Sequence, residues 1–300
     1  GVVPKGRDSV ATAAVLVVRG CHVLLKDKTQ ILRHCSMSLT LGLLLGFVWF
    51  HMDDGDYHSR MGLLAASYCA LCFLIIDAVE GIWQRQDAFL RETSVHTTSL
   101  LAHTLSDSSP SLLLLSLGCS LFSLPLYTLS GLKPSLQSYS TFNLLLLLSL
   151  YLNLHMAYLL CALSASPLQA KMAYAGVVLP LQLLLSGYLF LPPTLPPPLH
   201  LLCSLSPMRY FLMGAFHAEF GGSGGSGGGG NSRALGGVSY EELANMYDFH
   251  VMPVLCVCVL LLMGFVLKLL FMACLALKTH NQGQGLIGQG IGGLGRGVRG

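Results

Sequence analysis

Asp77 and Glu80 stand three residues apart in the apolar stretch "FLIIDAVEGIW", which places both carboxylates on one helical face. A charge at the centre of a bilayer costs about 2.5–3.5 kcal/mol on insertion scales. Two such groups either snorkel to the headgroups or make a polar contact inside a helix bundle. Phe73 lies one turn before Asp77 and offers an aromatic face to a flat apolar ligand, to neighbouring side chains, or to lipid. Cys69 and Cys72 form a C-x-x-C, but no second pair or histidine pair follows at zinc spacing. These cysteines and most of the others fall in apolar segments and read as small buried hydrophobes. No G-x-x-x-x-G-K-[ST] occurs in the chain. A P-loop holds phosphates through its backbone amides and its lysine, so this chain does not hydrolyse ATP by itself. Catalytic residues and metal ligands are expected nowhere. His155, Asn143, Asn153 and Gln182 read as packed polar residues rather than ligands.

The elements that must hold these residues are membrane spans. Of 300 residues, 53% are hydrophobic and only 10% charged, against roughly 25% charged in soluble domains. The mean hydropathy is +0.64. Six stretches reach the length of about 20 residues that a helix needs to cross a bilayer. They lie near 35–52, 61–82, 110–132, 136–163, 172–191 and 250–277. An even number of spans puts both termini on one side. With the termini in the cytosol, thirteen Lys/Arg fall on that side and four on the other, so the charge bias predicts cytosolic termini. The acidic turn Asp53-Asp54-Gly55-Asp56 then lies outside.

Residue 1 is glycine, which reads as a fragment or a processed chain, and no secretory signal peptide is visible. Residues 1–33 form a cytosolic or interfacial segment, with Val15, Val18, His22 and Leu25 on one face at helical spacing. Residues 34–277 form the six-span domain. Within it, 83–109 is a cytosolic connection and 192–249 a long outer loop holding the Gly-rich linker 221–230. The tail 278–300 is glycine-rich and is expected to be disordered. Gly42 and Gly46 form a G-x-x-x-G that favours intramolecular packing. No N-x-[ST] sequon occurs.

Several stretches, in order, resemble the membrane domain of G-subfamily ABC half-transporters, the white/multidrug-resistance type with an ABC-2 type membrane domain. "LKDKTQILRHCSMSLTLGLLLGFVWF" is similar to the family's connecting helix and first span. "SRMGLLAASYCALCFLIIDAVEGIWQRQDAFLRE" is similar to its second span and the start of its coupling segment. "LSDSSP", "GLKP", "LLLSGYLF" and "SPMRYFLMGAFHAEF" resemble the entry to span 3, the outer turn before span 4, the end of span 5 and the motif before the long outer loop. The resemblance covers roughly residues 15–277 and implies an all-α integral membrane fold. That fold has six transmembrane helices, an N-terminal amphipathic connecting helix, and a re-entrant exoplasmic helical segment between spans 5 and 6.

The resemblance also implies roles. Phe73, Cys72, Leu183 and Leu184 would line a substrate cavity. Gly187, Tyr188 and Leu189 would form an outer gate, a hydrophobic valve that excludes water; Tyr188 also suits an interfacial aromatic belt. Glu80, Phe89, Arg91 and Glu92 would couple the spans to an ATPase. Pro207, Arg209, Tyr210, Glu219 and Phe220 would belong to the re-entrant motif, with Arg209 and Glu219 as outer-interface anchors paired within its hairpin. The implied function is the membrane-spanning half of an ATP-driven exporter of lipophilic or amphipathic substrates (lipids, sterols, xenobiotics) working by alternating access. ATP and magnesium would sit on a nucleotide-binding ATPase domain, upstream in cis or in trans. A second half-transporter would complete a homo- or heterodimer in the plasma membrane, in contact with membrane lipids and not with nucleic acid. The stretch from Glu92 to Asp107 is shorter than the family's. On that ground the alternative is an ATPase-less membrane scaffold or a passive lipid-shuttling bundle.

Overall fold

A computed structural model describes residues 17–18, 20–22, 25–53, 56–93, 100–190, 196–221, 240–249 and 252–294. Side chains are described for all of these except 92–93, 100–103, 105–107, 240–241, 243 and 280–294. All regular structure among the described residues is helical, with no strand.

The first long helix, α1 (Lys28–Val48), begins where Asp27 caps it by accepting the Gln30 amide at 3.1 Å. α2 (Tyr57–Thr93) begins behind Asp56, which accepts from the Ser59 amide at 3.1 Å and its hydroxyl at 2.6 Å. Between the two helices, His51 takes φ 48°. The His51 and Met52 amides donate to the Leu129 and Ser130 carbonyls at 3.1 and 3.2 Å. Those are orphan carbonyls at the end of α3 (Leu100–Ser130), which stops at Gly131 in the left-handed region. The α1–α2 turn thus closes the end of a neighbouring helix.

α1 packs on α3 through small residues. A Cβ at Gly42 would collide with the Phe122 backbone, and one at Gly46 would lie 3.0 Å from Leu129. The G-x-x-x-G of α1 therefore works within the protomer.

α4 (Leu136–Leu163) has the bounds expected of span 4 and is the central element. α2, α3, α10 and α8 all pack around it. Its Leu145 fills the space where Gly214 of α8 lacks a Cβ.

The fifth expected span, 172–191, is not a single helix. It divides into α5 (Pro167–Ala173), a π-helical turn (Tyr174–Val178) and α6 (Leu179–Leu184). Pro180 has no N–H and its ring crowds the preceding turn, so the hydrogen-bond ladder must widen there. Gly187, at φ 81°, then turns the chain out of helix. Five helices among the described residues are long and apolar enough to cross a membrane: Lys28–Val48, Tyr57–Arg91, Ser108–Ser130, Leu136–Leu163 and Pro253–Thr279.

Two short helices follow, α7 (Pro197–Cys203) and α8 (Pro207–Phe220), joined by a turn. α8 is almost wholly buried. Its Phe211 meets Tyr68 and Phe142 at ring distances of 5.5 and 5.9 Å, and its Phe216 meets Phe249 at 5.7 Å. A short helix α9 (Tyr240–Tyr247) precedes α10 (Pro253–Leu294).

Two segment boundaries differ from expectation. Residues 83–93 continue α2, and 100–109 already belong to α3, so the described parts of 83–109 are extensions of spans. α10 also continues through residues 278–294, where composition predicts disorder. An established helix adds each further turn far more cheaply than it nucleates one. Residues 1–16, the linker 222–230 and residues 295–300 lie outside the described residues.

Candidate functional site

α2 presents one exposed stripe on an otherwise packed helix. Cys72, Leu74 and Ile75 are buried, while Phe73 between them is 61% exposed. Cys72 is turned into the core and does not share the Phe73 surface. One and two turns further on, Asp77 pairs with Arg33 of α1 at 3.0 Å and Glu80 with Lys171 of α5 at 2.8 Å. Both pairs are exposed, so each adds little to stability. What they decide is position: the inner half of α2 is tied to α1 on one side and to the broken helix on the other. A polar contact inside the bundle is not what Asp77 and Glu80 make: their pairs lie on its exposed side and run to α1 and α5, not to residues 83–109.

Further along α2, Phe89 is buried and Gln86 donates to the Tyr158 carbonyl at 3.1 Å. Arg91 pairs with Asp87 at 2.7 Å within the helix. The Glu92 side chain lies outside the described residues.

The broken helix carries one exposed and one half-buried residue of the expected cavity lining. Leu184 is exposed, whereas Leu183 is half-buried and packs on the core. At the turn, Ser186 donates to the Leu183 carbonyl at 2.7 Å and accepts the Tyr188 amide at 3.1 Å. Gly187 supplies the left-handed residue that this requires. Tyr188 then folds back on the outer end of α2. Its ring stacks near His58 at 6.5 Å, and its hydroxyl lies where a Cβ on Gly62 would come within 3.3 Å. Leu189, beside it, is exposed.

Behind this surface lies a closed polar ring that the sequence reading did not assemble. The Tyr68 hydroxyl donates to Gln182 Oε1 at 2.7 Å, Gln182 Nε2 donates to Asn153 Oδ1 at 3.0 Å, and Asn153 Nδ2 donates back to Tyr68 at 2.6 Å. Tyr174 of the π-turn adds a bond to Asn153 Oδ1 at 3.2 Å, and Ser206 donates to the Gln182 carbonyl at 3.1 Å. All five residues are buried. The ring fixes the broken helix to α2, α4 and the start of α8. The only sequence signal was an Asn and a Gln inside apolar runs, which names neither partner.

The end of the bundle where α8 lies carries two ion pairs, and they differ from expectation. Arg209 and Glu219 do not pair with each other. Arg209 donates to Asp248 at 2.6 Å, and His200 lies 3.5 Å from the same carboxylate. Glu219 receives Arg60 of α2 and the Lys133 amide at 3.0 Å. Residues ten apart on a helix stand nearly three turns from one another, so each reaches a different neighbour. Burial pushes the Glu219 carboxyl up, and Arg60 together with the Lys133 amide pulls it back. Pro207 and Phe220 are buried at the two ends of α8, and Tyr210 donates to the Ser204 carbonyl at 2.8 Å. Cys203 is fully buried. Among the described residues no cluster of His, Cys, Asp or Glu could hold a metal ion.

An all-helical bundle with apolar spans, a broken helix and no reactive constellation among the described residues is the shape of a membrane translocation domain. The ABC-2 type transporter family matches residues 13–220, more than half of the chain, and the chain belongs to that family. This family is the membrane-spanning part of ABC transporters and not their ATPase, so the protein is an integral membrane protein. ABC transporter G family member 23 of Arabidopsis thaliana is 26% identical over 206 residues, which is 67% of this chain and 32% of that protein. ABC transporter G family member 5 of the same plant is 30% identical over 115 residues, 37% of this chain and 17% of that protein. The chain thus spans a third or less of the length of the curated relatives it matches. The G-subfamily resemblance read from the motifs agrees with both.

Proposed function

We propose that this chain is the membrane-spanning half of an ATP-driven exporter that moves lipophilic or amphipathic molecules by alternating access. The observation that carries the reading is Phe73, 61% exposed on a helix whose flanking Cys72, Leu74 and Ile75 are buried, within the ABC-2 fold. A large aromatic left outside a well-packed core needs an apolar companion. A second half-transporter facing it would close a cavity between the two. Residues 167–190 act as the fifth of six spans, interrupted at Pro180, and α7–α8 dip into the outer leaflet and return. Broken backbone at that depth is tolerated because it is buried in protein, as α8 is. The termini are cytosolic and the membrane is the plasma membrane.

The partner ATPase domain holds ATP and magnesium and pushes on the inner ends of α2 and α3, where Glu80, Phe89, Arg91 and Glu92 lie. Closure there narrows the Phe73 side and swings Tyr188 and Leu189 away from α2.

The test is reconstitution with a G-subfamily ATPase domain in vesicles, following ATP-dependent efflux of a lipophilic fluorescent dye. Phe73→Ala should lower dye affinity, and Glu92→Ala should keep dye binding while losing dye-stimulated ATP turnover. Dye or lipid movement that is equal with and without ATP overturns the proposal in favour of a passive bundle.

A further inference from the structure

Lys268 lies on the packed face of α10. Gly264, Phe271 and Leu275 share its stripe at helical spacing and are buried, while Phe265, Leu269 and Leu270 point outward. Its ammonium is therefore not free to snorkel along the outer surface of its own helix. It donates instead to Ser108 Oγ of α3 at 3.1 Å, and Ser108 gives its own proton to the Thr104 carbonyl. A hydroxyl used in this way orients a cation without neutralising it.

The other polar neighbour is His155 of α4, on which the Lys268 charge acts. Its Nδ1 faces the Tyr151 carbonyl at 2.8 Å. A carbonyl only accepts, so Nδ1 carries the proton and the ring brings no negative charge. Among the described residues Lys268 makes no ion pair. A cation held on a packed face is unfavourable unless an anion faces it.

The surroundings indicate where the anion comes from. Ser108 lies in the polar run "SDSSP" that precedes the leucine-rich part of α3, so Lys268 stands near the edge of the hydrocarbon layer. α3 and α10 both pack on α4 and barely touch each other. Between them α4 shows a stripe at helical spacing, Leu144, Leu148 and Tyr151, which is partly exposed and leads to His155. Ser111, one turn along α3 from Ser108, lies 3.3 Å from the Tyr158 hydroxyl.

We propose that this junction of α3, α4 and α10 binds an anionic phospholipid. Its phosphate meets Lys268, with the Ser111 and Tyr158 hydroxyls beside it, and an acyl chain lies over Leu144, Leu148 and Tyr151. Basic pockets between spans at the cytosolic end recruit such lipids. The charge bias assigns this end to the cytosolic leaflet, where anionic lipids are concentrated. The site is separate from the Phe73 surface, and its lipid is a resident of the bundle rather than cargo.

The test uses the chain purified in detergent. Native mass spectrometry reads retention of phosphatidylserine and phosphatidylcholine carrying the same acyl chains. The wild type should retain phosphatidylserine in preference, and Lys268→Gln should lose that preference by about tenfold, the order expected for one charge-assisted contact. Lys268→Arg should keep it, and Lys133→Gln, at the opposite end of the bundle, should leave it unchanged. Equal retention of the two lipids, or a preference that survives Lys268→Gln, overturns the proposal. Displacement of phosphatidylserine by inorganic phosphate alone also overturns it, because the site would then recognise a free anion. If Lys268→Gln does not fold, thermal shift of the wild type decides: phosphatidylserine must stabilise it more than phosphatidylcholine does, and equal shifts overturn the proposal. No step requires ATP or transport, so failure here leaves the exporter reading standing.

Discussion

At Arg60 the charge of one residue is defined by two others. Its guanidinium and the Lys133 amide hold the Glu219 carboxylate in a site where burial alone would favour the neutral acid. Removing one partner of a buried pair leaves an uncompensated charge, which costs about 3–5 kcal/mol. Arg60→Met should lower the melting temperature of the detergent-solubilised protein sharply, and Arg60→Met with Glu219→Gln should recover much of the loss. A double variant no better than the single one would remove the pair from the account of the outer face. Asp56 shows the opposite sign. The Ser59 hydroxyl, and then its amide, hold the Asp56 carboxyl below the usual carboxylate range. A depressed carboxyl stabilises the fold above its unfolded value of about 3.9. That contribution is lost as pH falls through the lower folded value. Asp56→Ala should therefore melt below the wild type at pH 7, and the gap should narrow below about pH 4. A gap that widens in acid would contradict the capping role.

Helix contacts in this bundle are set by what is missing from side chains. Gly42 has no room for a Cβ because the Phe122 backbone occupies its place, whereas nothing lies within 4 Å of a Cβ built on Gly176. The two glycines should respond oppositely. Gly42→Leu forces α1 off α3 and should cost about 1–3 kcal/mol or more by overpacking. Gly176→Ala meets open space and should be neutral or stabilising by about 0.4–1 kcal/mol. Thermal melts of both variants compare them directly, and equal losses would mean that the π-turn needs its glycine for a reason other than space. The π-turn itself is held at Tyr174 and released four residues later at Val178. The buried ring of Tyr68, Asn153 and Gln182 fixes both sides of it. An element anchored by a satisfied network and interrupted by proline has few other resting positions, which suits a part that moves as a unit.

At the scale of the whole chain, an ABC-2 type membrane domain, the predictions concern exposure and sidedness. The thiol of Cys203 has no route to a second protomer in this packing, being fully buried beneath α8. On a non-reducing gel the wild type and Cys203→Ser should run alike, and a dimer band lost only in the variant would show that the outer segment opens. Exposed apolar side chains run along α1 and α10, and α2 adds Phe73 alone. The first two are ordinary for spans; Phe73 is the position to watch when a partner subunit is added.

Five of the six expected span positions, the helical class and the family were legible in the chain because they depend on local composition. Leucine runs near the length of a bilayer, the lysine and arginine bias and the order of short motifs all survive without knowledge of contacts. The ends of α4 and the small-residue seam of α1 were read correctly for that reason. Partners were not legible. Asp77 and Glu80 meet residues of α1 and α5, Arg209 meets Asp248, and Glu219 meets Arg60, because packing brings together positions far apart in the chain. The break in the fifth apolar stretch was half legible. A proline at 180 cannot continue a hydrogen-bond ladder, but only the surrounding bundle decided that a π-turn, a buried hydrogen-bonded ring and the left-handed Gly187 would absorb the break. Hydropathy is a sum over neighbours in sequence, whereas ion pairs and ring networks are properties of neighbours in space, and those were decided by the tertiary structure alone.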